Sequence, residues 1–172
     1  MESRSLQPNT VHRALVLYNI RSVYNVGSLF RTADGAGFTM MHLIGITPQP
    51  VDRFGRKRVD LAKTALGAEH SVGWKYHESF DDFLGYFKKE YPMGLCVALE
   101  QDPKSHSYTD ISPDRDLCLV LGNEVEGIPS EITAISDMIV EIPMMGKKES
   151  LNVSIAGSIV MYDILRRSTV GG

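Results

Sequence analysis

The sequence predicts an α/β domain, a mostly parallel sheet with helices on both faces. Apolar strand-like runs alternate with helical stretches along the chain, which is the pattern of strand–helix–strand units with right-handed crossovers. Two of the runs, Met93–Leu99 and Asp116–Leu121, are nearly continuous in apolar residues, as strands covered on both faces are. The chain has 172 residues, 43% hydrophobic and 23% charged. That composition suits one globular domain with a core of its own.

The elements follow in order. Arg13–Tyr18 reads as the first strand and Asn25–Gly35 as the helix after it. Thr39–Ile46 is the next strand, followed by a polar basic loop through Arg58. Asp60–Leu66 is a short helix and Ser71–Tyr76 a short strand. Ser79–Glu90 carries Phe80, Phe83, Leu84 and Phe87 at helical spacing. After the two buried strands, Pro129 suits the first turn of a helix running to about Ser136. Met138–Ile142 is the last strand. The last helix runs from near Asn152 to about Arg167, with Val153, Ala156, Val160 and Ile164 on its buried face. Residues 1–12 read as a loose arm and 168–172 as a frayed tail of a single domain spanning 1–172.

Several classes are excluded or disfavoured. No apolar run approaches the ~18 residues of a membrane span, and the polar first ten residues show no signal peptide. The expectation is a cytoplasmic protein with no membrane partner. Cys96 and Cys118 do not form a Cys-x-x-Cys pair, and the five histidines show no ligand spacing, so no metal site is expected. There is no Gly-x-Gly-x-x-Gly after a strand, no phosphate-loop motif and no Gly-x-Ser-x-Gly elbow. Net charge is −3, yet residues 1–67 hold nine basic against four acidic side chains, and the remainder nine against 17. A basic third on an acidic body suggests a face for an anion, although solvated faces give the same count.

Ligands of parallel sheets bind beyond the carboxyl ends of the strands, so the loops that follow strands come first. Asn19 to Ala33 contains Asn25, able to cap a helix, and Arg31, a guanidinium suited to phosphate or carboxylate or to a surface ion pair. Gly27 in the same stretch suits a close backbone approach or is a tolerated helix glycine. Gly122 to Pro129 sets Glu124 at a strand's carboxyl end between two glycines. Ile142 to Ser154 leads into the last helix, and either Ser150 or Asn152 can cap it, so capping explains one of the two.

Together, NIRSVYNVGSLFRTADGAGF, LVLGNEVEGIP and IPMMGKKESLNVSIAGSIVMYDILRR resemble the three ordered motifs of the SpoU (TrmH-type) RNA 2′-O-ribose methyltransferases, in the SPOUT class. The resemblance covers about residues 13–167. It implies an α/β-knot fold with a C-terminal trefoil knot built from the second and third motif loops. It implies S-adenosylmethionine as cofactor, held at Leu99, Gly122, Ile142 and Leu151 largely through backbone groups. It also implies a homodimer with the last helix at its interface. Asn25, Arg31, Glu124, Ser150 and Asn152 match the family's functional positions.

The implied reaction is methyl transfer to a ribose 2′-hydroxyl of RNA. Arg31 would clamp the target phosphate and the developing alkoxide, because a guanidinium stays protonated. Asn25 would orient Arg31, Glu124 would fix substrate or carry the proton away, and Ser150 and Asn152 would shape the methyl-donor loop. Arg53, Arg56, Lys57 and Arg58 form the basic loop expected to touch RNA phosphates. The extra N-terminal RNA-binding domain of many relatives is not seen, which favours tRNA over rRNA as substrate. The competing expectations are an rRNA enzyme, a non-catalytic RNA- or cofactor-binding module, and an ordinary nucleotide-binding domain.

Overall fold

The computed structural model describes residues 11–170. The strands are β1 (Arg13–Tyr18), β2 (Met40–Ile44), β3 (Gly73–His77), β4 (Leu95–Leu99), β5 (His106–Ser107), β6 (Leu117–Leu121) and β7 (Met138–Glu141). The helices are α1 (Val23–Ala36), α2 (Val59–Ala65), α3 (Ala68–Ser71), α4 (Phe80–Glu90), α5 (Ser130–Ile135) and α6 (Val153–Val170). A 3-10 turn at Tyr108–Asp110 follows β5. The strands form one sheet in the order β3-β2-β1-β6-β4-β7-β5, and every pairing between them is parallel.

Alternation along the strands builds two cores. Leu15, Leu17, Leu117, Leu119 and Leu121 point to the face covered by α1, α2 and α6. Ala14, Val16, Cys96, Ala98, Cys118 and Val120 point to the other face, under α4 and α5. The second set is smaller, which makes room for Phe80, Phe83 and Phe87 of α4. Burying each large side chain contributes roughly 1.5–3 kcal/mol. Cys96 and Cys118 are paired across β4 and β6 as free buried thiols.

Three boundaries differ from expectation for local reasons. Helix α1 starts at Val23 because Ser22, not Asn25, is its cap: Ser22 Oγ accepts from the Asn25 N–H at 3.2 Å. Helix α6 continues through Val170, so the frayed tail expected from Ser168 is the last turn of a helix. Arg167 secures that end by donating to Asp163 at 2.8 Å and to the Ile111 carbonyl. At the other terminus, His12 donates its N–H to Asp116 at 2.7 Å and stacks on Tyr91 at 4.1 Å, so it is not part of a loose arm. Residues 1–10 and 171–172 lie outside the described residues.

The topology positions the site. The connection after β1 leads outward to β2, whereas that after β6 leads past β4 to β7. The strand order therefore reverses between β1 and β6, where a crevice opens at the carboxyl ends. Among the described residues, no helix is long and apolar enough to cross a membrane.

Candidate functional site

The three motif loops meet at that crevice. Glu124 sits in the loop after β6 and points at the N-terminus of α1. Its Oε2 accepts from the Arg21 N–H at 2.9 Å, and its Oε1 accepts from the Ser22 N–H at 3.0 Å and from Asn25 Nδ2 at 3.1 Å. A carboxylate there also gains from the positive end of the helix dipole. Partial desolvation would raise its pKa, but the N–H donors of Arg21, Ser22 and Glu124 itself, with the Asn25 amide, hold it below the ordinary value. Glu124 is thus no orphan acid. Its oxygens are committed to the first motif.

Asn25 has its side chain free because Ser22 does the capping. Its Oδ1 accepts from Asn152 Nδ2 at 3.2 Å. Asn152 in turn caps α6, its Oδ1 accepting from the Ser154 N–H at 2.9 Å. One chain of hydrogen bonds, Glu124–Asn25–Asn152, therefore ties the three loops together. Asn25 bonds Glu124 and Asn152 rather than Arg31, contrary to the expected orienting role.

Asn123 supports the same junction. Its Nδ2 donates to the Asn19 carbonyl at 2.8 Å, and its Oδ1 accepts from the Val125 and Glu126 N–H groups at 2.9 and 3.0 Å. Gly122 is required by close approach: a Cβ there would lie 2.6 Å from the Gly127 carbonyl oxygen. Asn123 and Glu100 were not singled out from sequence. Glu100 Oε2 accepts from the Ile128 N–H at 2.8 Å, closing the second motif loop against the end of β4. Asn123 adjoins a recognised motif residue, so its place was within reach of the sequence. The Glu100–Ile128 bond spans 28 residues and leaves no spacing signal.

Beside this web lies a cleft of about 500 Å³ at the carboxyl ends of β4, β6 and β7. Leu99, Gly122, Ile142 and Leu151 all line it, as do Glu124, Ser150 and Asn152. Its walls combine apolar side chains (Leu121, Val153, Ala156) with the carboxylates of Glu100, Glu126 and Glu141. Such a cleft can hold a ligand with an apolar plane and a cationic group. Ser150 is exposed and makes no hydrogen bond among the described residues.

Arg31 stands apart. It is exposed on α1, outside the web and the cleft lining, and its side chain makes no hydrogen bond or ion pair among the described residues. The neighbouring Thr32 hydroxyl bonds Ser158 of α6 at 3.0 Å, which fixes the two helices at this level.

The basic loop after β2 is an ordered hairpin, with a bridge between Val51 and Lys57. Three of its four cations already have acidic partners. Arg56 pairs with Asp52 at 2.7 Å, Arg58 with Asp60 at 2.6 Å and Lys57 with Glu69 at 3.4 Å. Arg53 has none among the described residues, and its guanidinium lies 4.7 Å from the Phe54 ring centre. No cluster of three His, Cys, Asp or Glu side chains able to hold a metal occurs among the described residues.

Comparison with known proteins agrees with this geometry. The model of the SpoU rRNA Methylase family matches residues 12–162. The tRNA (guanosine(18)-2'-O)-methyltransferase of Escherichia coli K12 is 28% identical over 153 residues, covering 89% of this chain and 62% of that protein. The chain thus spans about three-fifths of the length of that curated relative. An AdoMet-bound rRNA methyltransferase from Sinorhizobium meliloti superposes with a TM-score of 0.82 at 24% identity, over 94% of this chain and 59% of that one, and speaks for the fold alone. A solved structure described as giving insights into 2-OH methylation of C/U34 on tRNA has a TM-score of 0.78 at 26% identity, over 93% of this chain and 98% of that one. With the three motif loops joined at one crevice and the family match running through nearly all of the described residues, the chain belongs to the SpoU rRNA Methylase family.

Proposed function

We propose that the chain transfers a methyl group from S-adenosylmethionine to a ribose 2′-hydroxyl of RNA, with tRNA as the substrate. One observation carries this reading. The Glu124–Asn25–Asn152 web forms the rim of a cleft lined by Leu99, Gly122, Ile142 and Leu151.

The cleft fits the cofactor by its own chemistry. Leu99, Leu121, Ile142 and Ala156 offer apolar surface to an adenosine, and Glu100, Glu126 and Glu141 offer negative charge to a cationic sulfonium and ammonium. When bound, S-adenosylmethionine supplies a methyl group that needs no further activation. The chain must then hold the 2′-oxygen in line and steady its charge as the proton leaves. Arg31 suits the second task, being exposed, unpaired and permanently cationic. It acts as a clamp on phosphate and alkoxide. Asn25, Glu124 and Asn152 fix the loops, and Ser150 keeps a free hydroxyl at the cleft.

The preference for tRNA is supported by the relative of nearly equal length, whose described subject is tRNA methylation. The rRNA alternative is favoured by the family's own description. The same reading includes action in the cytoplasm, phosphate contacts from the basic hairpin, and a homodimer. For the dimer, Ile155, Ile159 and Tyr162 form an exposed stripe at helical spacing on α6. It also includes the trefoil knot. The chain leaves β6 for α5 on one face, passes β4 to β7, and returns past β4 and β6 to α6 on the other face. Two such connections crossing at one sheet edge are otherwise avoided.

The test is transfer of labelled methyl from S-adenosylmethionine to unmodified tRNA and, separately, to rRNA, followed by separation of nucleosides by mass. One 2′-O-methyl nucleoside from the tRNA pool is expected. Label only in rRNA reassigns the substrate. Cofactor binding with label in neither pool leaves a binding module and sinks the enzymatic reading.

A further inference from the structure

Phe54 is an exposed aromatic at the tip of a rigid hairpin, and the core has no use for it. It is 66% exposed. The hairpin beneath it is well made. Asp52 Oδ1 accepts from the Phe54 and Arg56 N–H groups at 2.8 and 3.0 Å, the Arg58 N–H donates to the Pro50 carbonyl at 2.9 Å, and Gly55 supplies the left-handed turn residue at φ 75°. A rigid turn that holds a large apolar ring in water is a common form of recognition element.

The surroundings suggest what it recognises. Guanidiniums of Arg53 and Arg56 lie 4.7 and 5.1 Å from the ring centre. They are not equivalent. Arg56 is tied down by Asp52, whereas Arg53 has only the ring among the described residues. Beside the hairpin is a second cleft of about 560 Å³, lined by Gly45, Ile46, Thr47, Phe54 and Tyr76 among others. Ile46 and Tyr76 are also exposed. The cleft thus combines apolar and aromatic surface with cationic edges, the combination that binds unpaired bases and their phosphates.

This cleft shares a wall with the first motif. Thr47 Oγ1 accepts from the Ile20 N–H at 3.1 Å, and Asn19 Oδ1 accepts from the Ile46 N–H at 3.1 Å. Asn19 and Ile20 begin the first motif, which carries Asn25 at the start of α1. A nucleotide in the second cleft would therefore belong to the same RNA strand as the reacting ribose.

We infer that Phe54 is a stacking platform for an unpaired base flanking the methylated nucleotide. The base takes the place of Arg53 over the ring, and Arg53 moves to a phosphate of the same strand. Arg56, held by Asp52, remains as the fixed edge. An exposed cation–π contact is weaker than a base–aromatic stack, so the exchange is favourable. This rests on the proposed RNA methylation and deepens it by naming a substrate-recognition residue.

The experiment uses a single-stranded RNA 12-mer containing 2-aminopurine, together with unmodified total tRNA. The wild-type chain should quench 2-aminopurine fluorescence as the base stacks. Phe54→Ala should lose the quench, bind the 12-mer about ten-fold more weakly and raise KM for tRNA. Phe54→Trp should restore both binding and quench. Arg53→Gln should lower the salt slope of binding by about 0.7, one phosphate of a single strand. Wild-type affinity and quench in Phe54→Ala would overturn the stack and leave the hairpin to a protein partner. Equal losses in Phe54→Ala and Phe54→Trp would overturn it too, as a packing role. If the wild-type chain methylates tRNA and Phe54→Ala changes neither binding nor quench, the stack alone fails. If the wild-type chain neither methylates nor binds tRNA, the parent reading fails with it.

Discussion

Asn25 Nδ2 donates to Glu124 Oε1 at 3.1 Å, and this one bond joins residues 99 positions apart in the chain. It belongs to a set of three bonds that needs a carboxylate, with an acceptor at both oxygens. Both of its oxygens face N–H donors, and none faces an acceptor. The glutamate therefore fixes the loop after β6 against Asn25 and the start of α1.

Glu124→Gln should accordingly lower kcat more than it lowers stability. The new amide must turn its NH₂ group either toward the Arg21 N–H, losing one bond, or toward the Ser22 N–H and Asn25 Nδ2, losing two, and either choice shifts the junction that holds Asn25. A misplacement of about 1 Å costs up to about 100-fold in rate, so a 10- to 100-fold loss in kcat is expected, with KM for S-adenosylmethionine little changed. The carboxylate is exposed, so its contribution to stability is at most about 1 kcal/mol. Its folded pKa is depressed, so that contribution is present above the unfolded value of about 4.3 and is lost as pH falls through the folded value. Steady-state kinetics beside urea unfolding separate the two effects. Equal losses in both would mark Glu124 as a purely structural residue.

Gly27→Ala should destabilise, although alanine is the better helix former by roughly 1 kcal/mol. A Cβ on Gly27 would collide with Thr64 Oγ1 and lie 2.6 Å from the Leu61 carbonyl oxygen of α2. Overpacking of this kind costs about 1–3 kcal/mol. Thr64→Ala removes only the first collision, so the double variant should recover part of the loss. Thermal melts of the two single variants and the double test this, and a melting point raised by Gly27→Ala would refute the close approach.

Such contacts also separate what the sequence displays from what it conceals. Strands β1, β2, β4 and β6 were legible because apolar runs mark them, and α6 because Val160 and Ile164 repeat on one face. The Ser22 cap was harder to read. Ser22 and Asn25 are both good capping residues, and what holds the Asn25 side chain in the web is a glutamate about 100 residues away. The short α3 and β5 hold four and two residues, too few for a period to show. In the basic hairpin, the Asp52–Arg56 pair follows from spacing, whereas Lys57–Glu69 depends on how α3 folds back. Charge counting therefore overstated the free cations.

Arg31→Ala should abolish most methyl transfer and leave the fold intact. The side chain is exposed and has no partner among the described residues, so its removal strands no buried group. Loss of a charge aimed at a developing oxyanion costs about 100- to 1,000-fold in rate. Arg31→Lys should recover part of this, since a point charge lacks the guanidinium fork. Single-turnover transfer to tRNA is the measurement, with the melting temperature as control. Near-wild-type turnover in Arg31→Ala would remove it from the mechanism.

The His42–His77 pair should set an acid limit on stability. His42 is fully buried, and its Nδ1 lies 2.9 Å from His77 Nε2. Its Nε2 has no hydrogen-bond partner among the described residues. An orphan lone pair costs less than an orphan N–H, so the neutral tautomer with Nδ1–H donating to His77 is favoured. Burial, then His77, His12 and Lys75, lower the His42 pKa to about 3. Between the unfolded value of about 6.5 and that folded value, the unfolded chain binds a proton that the folded chain refuses. Stability from His42 is therefore full above pH 6.5 and declines as pH falls toward 3, by up to about 4 kcal/mol. His42→Gln keeps a polar group but cannot titrate. Urea unfolding at pH 7, 5 and 4 should show a shallower decline in the variant, and parallel declines would assign the acid limit to the carboxylates instead.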